Sequence, residues 1–248
     1  MTIETPQDMQ GLLAVGRIVG QALAYLRAQV QPGITTQEID DLAERFLRER
    51  GARSAPMLAV GFPRAICISI NEEAAHGLPG ERCVAAGDLV KLDVSAELDG
   101  YYADAAVTVA VAPMAAAHQR LCDCAEAALQ AAVAAARAGR PLNQIGRAAE
   151  QVAQRQGYRI VRALHGHGVG RSLHEAPRSV PHYYDPQVRQ PLHEGLVLAI
   201  EPHLTSGDGR VVDGRDGWTI STRDRRHVAA FEHTVVVTSG EPIVITAA

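Results

Sequence analysis

Met9, Leu12, Leu13, Val19, Leu23 and Leu26 recur at three- and four-residue intervals, the spacing of one buried helix face. Thr5-Pro6 sets the start, an N-cap residue followed by proline at the first helical position, and Pro32-Gly33 lies beyond the end. Thr35-Thr36-Gln37-Glu38 reads as a capping box for a second helix with Ile39, Leu42, Phe46 and Leu47 on its buried face, ending at Gly51. The period then shortens to that of strands over Ala65 to Ile70, Asp88 to Leu98 and Tyr101 to Val111. An Ala-rich helix is predicted over Met114 to Ala138, closed by Gly139 and Pro141, and another over Leu142 to Gln156, stopped by Gly157. Two further strands are predicted over Leu196 to Leu204 and Ala229 to Val237.

No linker or low-complexity tract interrupts this order, so residues 1–248 read as a single domain of the α+β class with antiparallel hairpins. A faint internal repeat is present. Gly87-Asp-Leu-Val-Lys-Leu-Asp93 and Gly195-Leu-Val-Leu-Ala-Ile-Glu201 share a glycine, an apolar strand and an acid. Each is followed by a strand that starts on an acid, Asp104-x-x-Val-x-Val and Glu232-x-x-Val-x-Val. Chance and duplication both account for such a match. Under duplication, the acids of the two halves converge near a pseudo-twofold axis.

Composition removes several function classes. Apolar residues make up 47% and charged ones 21%, ordinary for a globular chain. Only 4% are aromatic, so Ala, Val, Leu and Ile must fill the core. A net charge of -4 without any basic cluster argues against nucleic-acid recognition. The polar, acidic first ten residues do not resemble a signal peptide, and no window reaches the length of a membrane span. Cys67, Cys83, Cys122 and Cys124 form no CxxC pair, which predicts reduced thiols and a cytoplasmic protein.

The chemistry lies in the acids and histidines. Asp99-Gly100 is a two-residue hairpin turn, so Leu98 should face Tyr101 and Ser95 should face Asp104. Asp93 and Asp104 then become diagonal neighbours on one face, about 7–8 Å apart at the backbone. Two exposed sheet carboxylates would be the plain reading of that pair. Glu201 and Glu232, however, stand in apolar β runs where an unpaired charge is costly. Apart from Lys91 these strands hold no base, so four buried acids call for cations. His165-Gly-His167-Gly-Val-Gly-Arg-Ser-Leu-His174 adds imidazoles on a glycine-rich loop. One imidazole with four carboxylates suits paired Mn, Fe or Co ions, a device for hydrolysing an amide or a phosphoester.

The ordered segments Asn71-Glu-Glu-Ala-Ala-His76-Gly-Leu-Pro, Leu-Asp93-Val-Ser, Asp-Gly-Tyr-Tyr-Ala-Asp104, Gly-His167-Gly-Val-Gly-Arg-Ser-Leu-His174-Glu-Ala-Pro, Ile-Glu201-Pro and Phe-Glu232-His-Thr resemble type I methionine aminopeptidases. The resemblance runs from Thr5 to about Thr238. It implies the pita-bread fold, in which duplicated antiparallel sheets are flanked by helices about a pseudo-twofold axis. It also implies two divalent ions (Co, Mn, Fe(II), Zn or Ni). Asp93 would hold one, His167 and Glu201 the other, and Asp104 and Glu232 would bridge both. Glu201 would also be the general base, His174 would steady the oxyanion, and His76 would contact the adjacent substrate amide. The implied substrate is the methionyl N-terminus of a peptide or nascent chain, handled by a monomer; no ribosome-binding motif is visible.

The resemblance has departures, none of them at a metal ligand. Family pocket tyrosines are replaced by Ala59 and Phe62, a cysteine by Ala75, a threonine by Ala105 and a methionine by His203, whereas Trp218 matches a residue near the substrate pocket. His165 and His233 match no catalytic position and are expected to be structural. Two other readings stay open: a peptidase of this fold acting on Xaa-Pro bonds or with broader specificity, and a non-catalytic binding module.

Overall fold

In a computed structural model that describes residues 1–247, five helices and fifteen short or medium strands follow one another in two similar blocks. The first block runs α1 (Pro6–Arg27), α2 (Thr36–Glu49), β1 (Arg53–Ser54), α3 (Ala55–Val60), β2 (Cys67–Ile70), β3 (Glu73–Ala75), β4 (Leu89–Leu98) and β5 (Tyr101–Ala110). The second opens with α4 (Ala116–Ala135) and α5 (Asn143–Arg155). It continues through β6 (Arg159–Ile160), β7 (Gly166–Gly168), β8 (Glu175–Val180), β9 (Val197–Ile200) and β10 (His203–Thr205). The block ends with β11 (Val211–Asp213), β12 (Ile220–Thr222), β13 (Val228–Ala230), β14 (His233–Val236) and β15 (Ile243–Val244).

Each block places two helices ahead of the antiparallel pair that carries its acids, β4–β5 in the first and β9–β14 in the second. This is the duplicated, pita-bread arrangement that the sequence resemblance implied. Thr5 and Thr35 cap α1 and α2 as expected, each hydrogen-bonded to the third helical residue, Asp8 and Glu38, in a capping box. Such a cap is worth about 1 kcal/mol.

Strand alternation divides β4 cleanly. Val90, Leu92, Val94 and Ala96 join Leu12, Val15, Val19, Ile39 and Phe46 in one core, beneath α1 and α2. The other parity, Lys91, Asp93 and Ser95, therefore points away from those helices. Leu121, Ala125, Ala128, Leu142, Ile145, Leu198, Ile200 and Val235 form a second core beneath α4 and α5. A buried leucine or isoleucine contributes roughly 1.5–3 kcal/mol, so these two cores hold the sheets between helix pairs. The halves are sewn together where the acids lie. Asp104 N–H donates to Thr234 Oγ1 at 2.8 Å, and Glu232 N–H donates to Ala106 O at 2.9 Å.

Three expected boundaries need correction. The Ala-rich helix stops at Ala135, because Ala136 turns out of helical geometry and Ala138 N–H goes to Thr238 O instead. The runs Leu196 to Leu204 and Ala229 to Val237 are each two strands, broken at Glu201-Pro202 and at Phe231-Glu232. Pro202 cannot donate to a ladder, so β9 ends and β10 enters a different sheet with β13 and β6. The breaks free the acids from regular pairing where they are needed.

Candidate metal centre and active site

The β4–β5 turn has the positive φ angles of a tight hairpin, 50° at Asp99 and 80° at Gly100. Ser95 pairs with Asp104 and Asp93 with Ala106, so the two aspartates are diagonal neighbours on the face opposite α1, as the hairpin register predicts. From the second block, His167 arrives on β7 between β8 and β9. Glycine on either side of it is a packing necessity. A Cβ on Gly166 would sit 2.2 Å from Ala199 O, and one on Gly168 would sit 2.3 Å from Ala176 O.

The donors converge. His167 Nε2 lies 3.9 Å from Asp104 Oδ2 and 3.7 Å from Glu201 Oε1. One ligand atom each of Asp104, His167 and Glu232 fall within 4.8 Å of one another. Asp93, the diagonal neighbour of Asp104 across the β4–β5 ladder, lines the same cavity. Burial drives Asp104, Glu201 and Glu232 well above the ordinary carboxylate range, and facing negative charges add to the effect. Burial also lifts Asp93 to about 6.

The fit of these residues to divalent cations rests on their unpartnered atoms. Asp104 Oδ1 and Glu232 Oε1 are buried acceptors with no hydrogen-bond partner. Such atoms are costly without something positive to face. His167 Nδ1 lies 3.0 Å from Gly168 O, which assigns its proton to that nitrogen and leaves the Nε2 lone pair directed at the acids. Burial holds this imidazole down at about 4, so it is neutral. Hard oxygen donors plus one neutral imidazole form a suitable set for one or two divalent first-row ions.

A cavity of about 450 Å³ opens over these groups. His76, His174, His203, Phe62 and Trp218 all line it, together with Asp93, Asp104, His167, Glu201 and Glu232. The His174 ring lies 4.3 Å from that of His167, centroid to centroid. Phe62 and Trp218 meet edge to face at 5.1 Å and form an aromatic corner.

Ala59 is a correction. It lies on the exposed side of α3 and does not line the cavity. Ser54 caps this short helix and Gly61 ends it with a φ of 69°, which fixes its roll. Pro56 is buried and lines the cavity, and Val60, four residues on, lines its rim while 49% exposed; Met57 and Leu58, at 46% and 47% exposure, do not line it. His165 is tied at both nitrogens, to Ser179 Oγ at 2.6 Å and Arg162 O at 2.8 Å, and His233 is held by Thr246 Oγ1. His165 also lines the cavity, whereas His233 does not.

A profile for metallopeptidase family M24 matches residues 10–239. The chain belongs to this family. Among M24 relatives, methionine aminopeptidase 2 of Bacillus subtilis is 41% identical over 99% of both chains. The crystal structure of methionine aminopeptidase from Thermotoga maritima superposes with a TM-score of 0.96 at 34% identity, covering 100% of each chain. The methionine aminopeptidase of Rickettsia prowazekii gives 0.95 at 33%, covering 99% of this chain and 100% of that one.

Sequence reasoning missed one buried member of this M24 site. His182 is fully buried, and its Nε2 accepts the Glu201 backbone N–H at 3.0 Å. Nothing in Ser179-Val-Pro-His182 distinguishes it from an ordinary core histidine. It also missed Arg178, an exposed residue at the cavity mouth that helps hold His174 below the usual imidazole range, although burial does more.

Proposed function

We propose that the chain removes N-terminal methionine from peptides by metal-assisted hydrolysis of the first peptide bond. The observation that carries the reading is the convergence of Asp104, Glu201 and Glu232 on His167, with Asp93 in the same cavity, in a chain that matches methionine aminopeptidases end to end. Asp93, Asp104, His167, Glu201 and Glu232 are the residues that would hold two divalent ions. When bound, the ions supply Lewis-acid polarisation and water activation.

The remaining steps belong to side chains. Glu201, which lines the cavity beside His167, would in its ionised form accept the proton of the attacking water. Partial desolvation and Arg178 lower the His174 imidazole below its usual range, which favours the neutral ring that would donate one N–H to the developing oxyanion. His76, also lowered by partial desolvation, lines the same cavity and would hold the adjacent amide. Phe62, Trp218 and Val60 give the cavity an apolar wall for an unbranched side chain.

In this reading the whole chain acts as one catalytic domain, as a monomer, on peptide or nascent-chain N-termini and without nucleic acid. No helix among the described residues is long and apolar enough to cross a membrane. Four free cysteines support a reducing compartment, the cytoplasm. The test is release of the first residue from Met-Ala-Ser, Leu-Ala-Ser and Ala-Pro-Ala by the metal-replete protein. Methionine release should dominate; preferential cleavage of Ala-Pro-Ala would reject the reading in favour of an Xaa-Pro enzyme.

A further inference from the structure

Lys91 is the only lysine in the chain; every other basic side chain, histidines aside, is arginine. It is also 3% exposed, on the metal-facing side of β4, two residues before Asp93. Burying a flexible ammonium is costly, and arginine is the common base of this protein, so the position calls for what only lysine supplies.

The register shows what that is. Ser69, Lys91 and Thr108 form one cross-strand row over β2, β4 and β5, next to the row Cys67, Asp93 and Ala106. Each member of the row holds the backbone of a segment lying above the sheet. Ser69 Oγ accepts Gly77 N–H at 2.9 Å. Lys91 Nζ donates to Asn71 O and to Val228 O, both at 3.1 Å. Thr108 Oγ1 donates to Ala230 O at 2.7 Å and accepts Ala230 N–H at 2.9 Å. Thus the turn Asn71 to Gly77, which carries His76, is pinned at both ends, and β13, which leads into Glu232, is pinned beside it.

Two features of the pinned turn need support. Asn71 and His76 both have left-handed backbone, with φ of 58° and 54°, which costs free energy for non-glycine residues. Lys91 also serves two carbonyls from segments more than 150 residues apart in sequence. A compact ammonium can direct separate donors to both, whereas a planar guanidinium fork presents its donors in one plane and needs more width. Among the described residues Lys91 forms no ion pair, so its charge is spent on these carbonyls.

We propose that Lys91 is a positioning residue for the aminopeptidase reaction, an internal cation that ties the His76 turn to β13 and thereby holds His76 over the cavity. What His76 does there rests on the function proposed above; the tie itself does not.

The test uses Lys91→Met and Lys91→Arg, alone and combined with His76→Ala, on the full chain. Bound metal per chain, kcat and KM, and hydrogen exchange of the metal-free protein are measured. Lys91→Met should speed exchange at residues 71–77 and 228–230 and leave α1 and α4 unchanged. With metal content unchanged, kcat/KM should fall about ten-fold or more, since a misplacement near 1 Å can cost on the order of a hundred-fold. The same substitution should cost nothing further in the His76→Ala background. Lys91→Arg should not restore the wild-type pattern, whereas ethylammonium added to Lys91→Ala should restore part of the rate. If Lys91→Met does not fold, Lys91→Gln, which keeps one donor, should give an intermediate exchange pattern. Uniformly faster exchange, unchanged exchange in both segments, or a full additive loss in His76→Ala would overturn the proposal. No hydrolysis even by the metal-replete wild type, with the local exchange pattern intact, would instead remove the aminopeptidase reading and leave the tie standing.

Discussion

His182 Nε2 accepts the backbone N–H of Glu201 at 3.0 Å, from a ring with no exposed surface. Glu201 lies one residue past the end of β9 and is followed by Pro202, so this amide has no strand partner. The bond assigns the imidazole proton to Nδ1, which has no partner of its own. His182 thus anchors the backbone of the acid proposed as ligand and base, at the expense of one buried donor. His182→Leu should cost about 1–3 kcal/mol in urea unfolding of the metal-free protein and weaken metal binding. His182→Asn should recover part of both. Wild-type stability and metal affinity in His182→Leu would show that the bond is incidental.

Metal uptake should expel protons. Metal-free, Asp93 sits at about 6, and Asp104, Glu201 and Glu232 are pushed higher than usual by burial, so the protonated forms are favoured. A bound cation requires the ionised forms, so lower pH opposes binding. Apparent affinity should therefore weaken as pH falls from neutrality through 6, and calorimetry in buffers of different ionisation enthalpy should register proton release. His167, held near 4, is neutral throughout this range and adds no further slope. Affinity independent of pH between 5 and 7 would contradict this account.

How much of this was legible beforehand follows the physics of each element. The Asp93–Asp104 relation was readable because Asp99-Gly100 permits only a narrow set of turns and strand side chains alternate strictly. Glu201 and Glu232 announced themselves as charges in apolar runs. Their strand breaks did not, because apolar periodicity continues across them; only Pro202 hinted at one. His182, Lys91 and Ala59 were opaque for a common reason. Their roles depend on packing between distant segments, which a linear pattern does not carry: His182 reaches Glu201 across 19 positions and Lys91 reaches Val228 across 137. Ala59 was assigned by alignment with a tyrosine, but the roll of α3 turns it outward.

That roll makes a specific claim about selectivity. Ala59→Tyr should leave the relative kcat/KM for methionyl, norleucyl and leucyl peptides unchanged. Phe62→Ala removes half of the aromatic corner with Trp218 and should lower kcat/KM for the methionyl peptide by on the order of ten-fold. A changed ratio in Ala59→Tyr would return that residue to the pocket.

His174→Ala should lower kcat by about 10²–10³, the usual effect of removing one oxyanion donor, while metal content stays near that of the wild type. Loss of metal in this variant would make His174 a ligand or a structural prop, since its ring lies 4.3 Å from that of His167.

The most direct measurement is methionine release from Met-Ala-Ser before chelation, after exhaustive chelation, and after adding back Mn, Fe(II) or Co. Five donors with two unpartnered buried oxygens predict near-complete loss without metal and recovery with it. Undiminished turnover by protein verified to be metal-free would contradict the account.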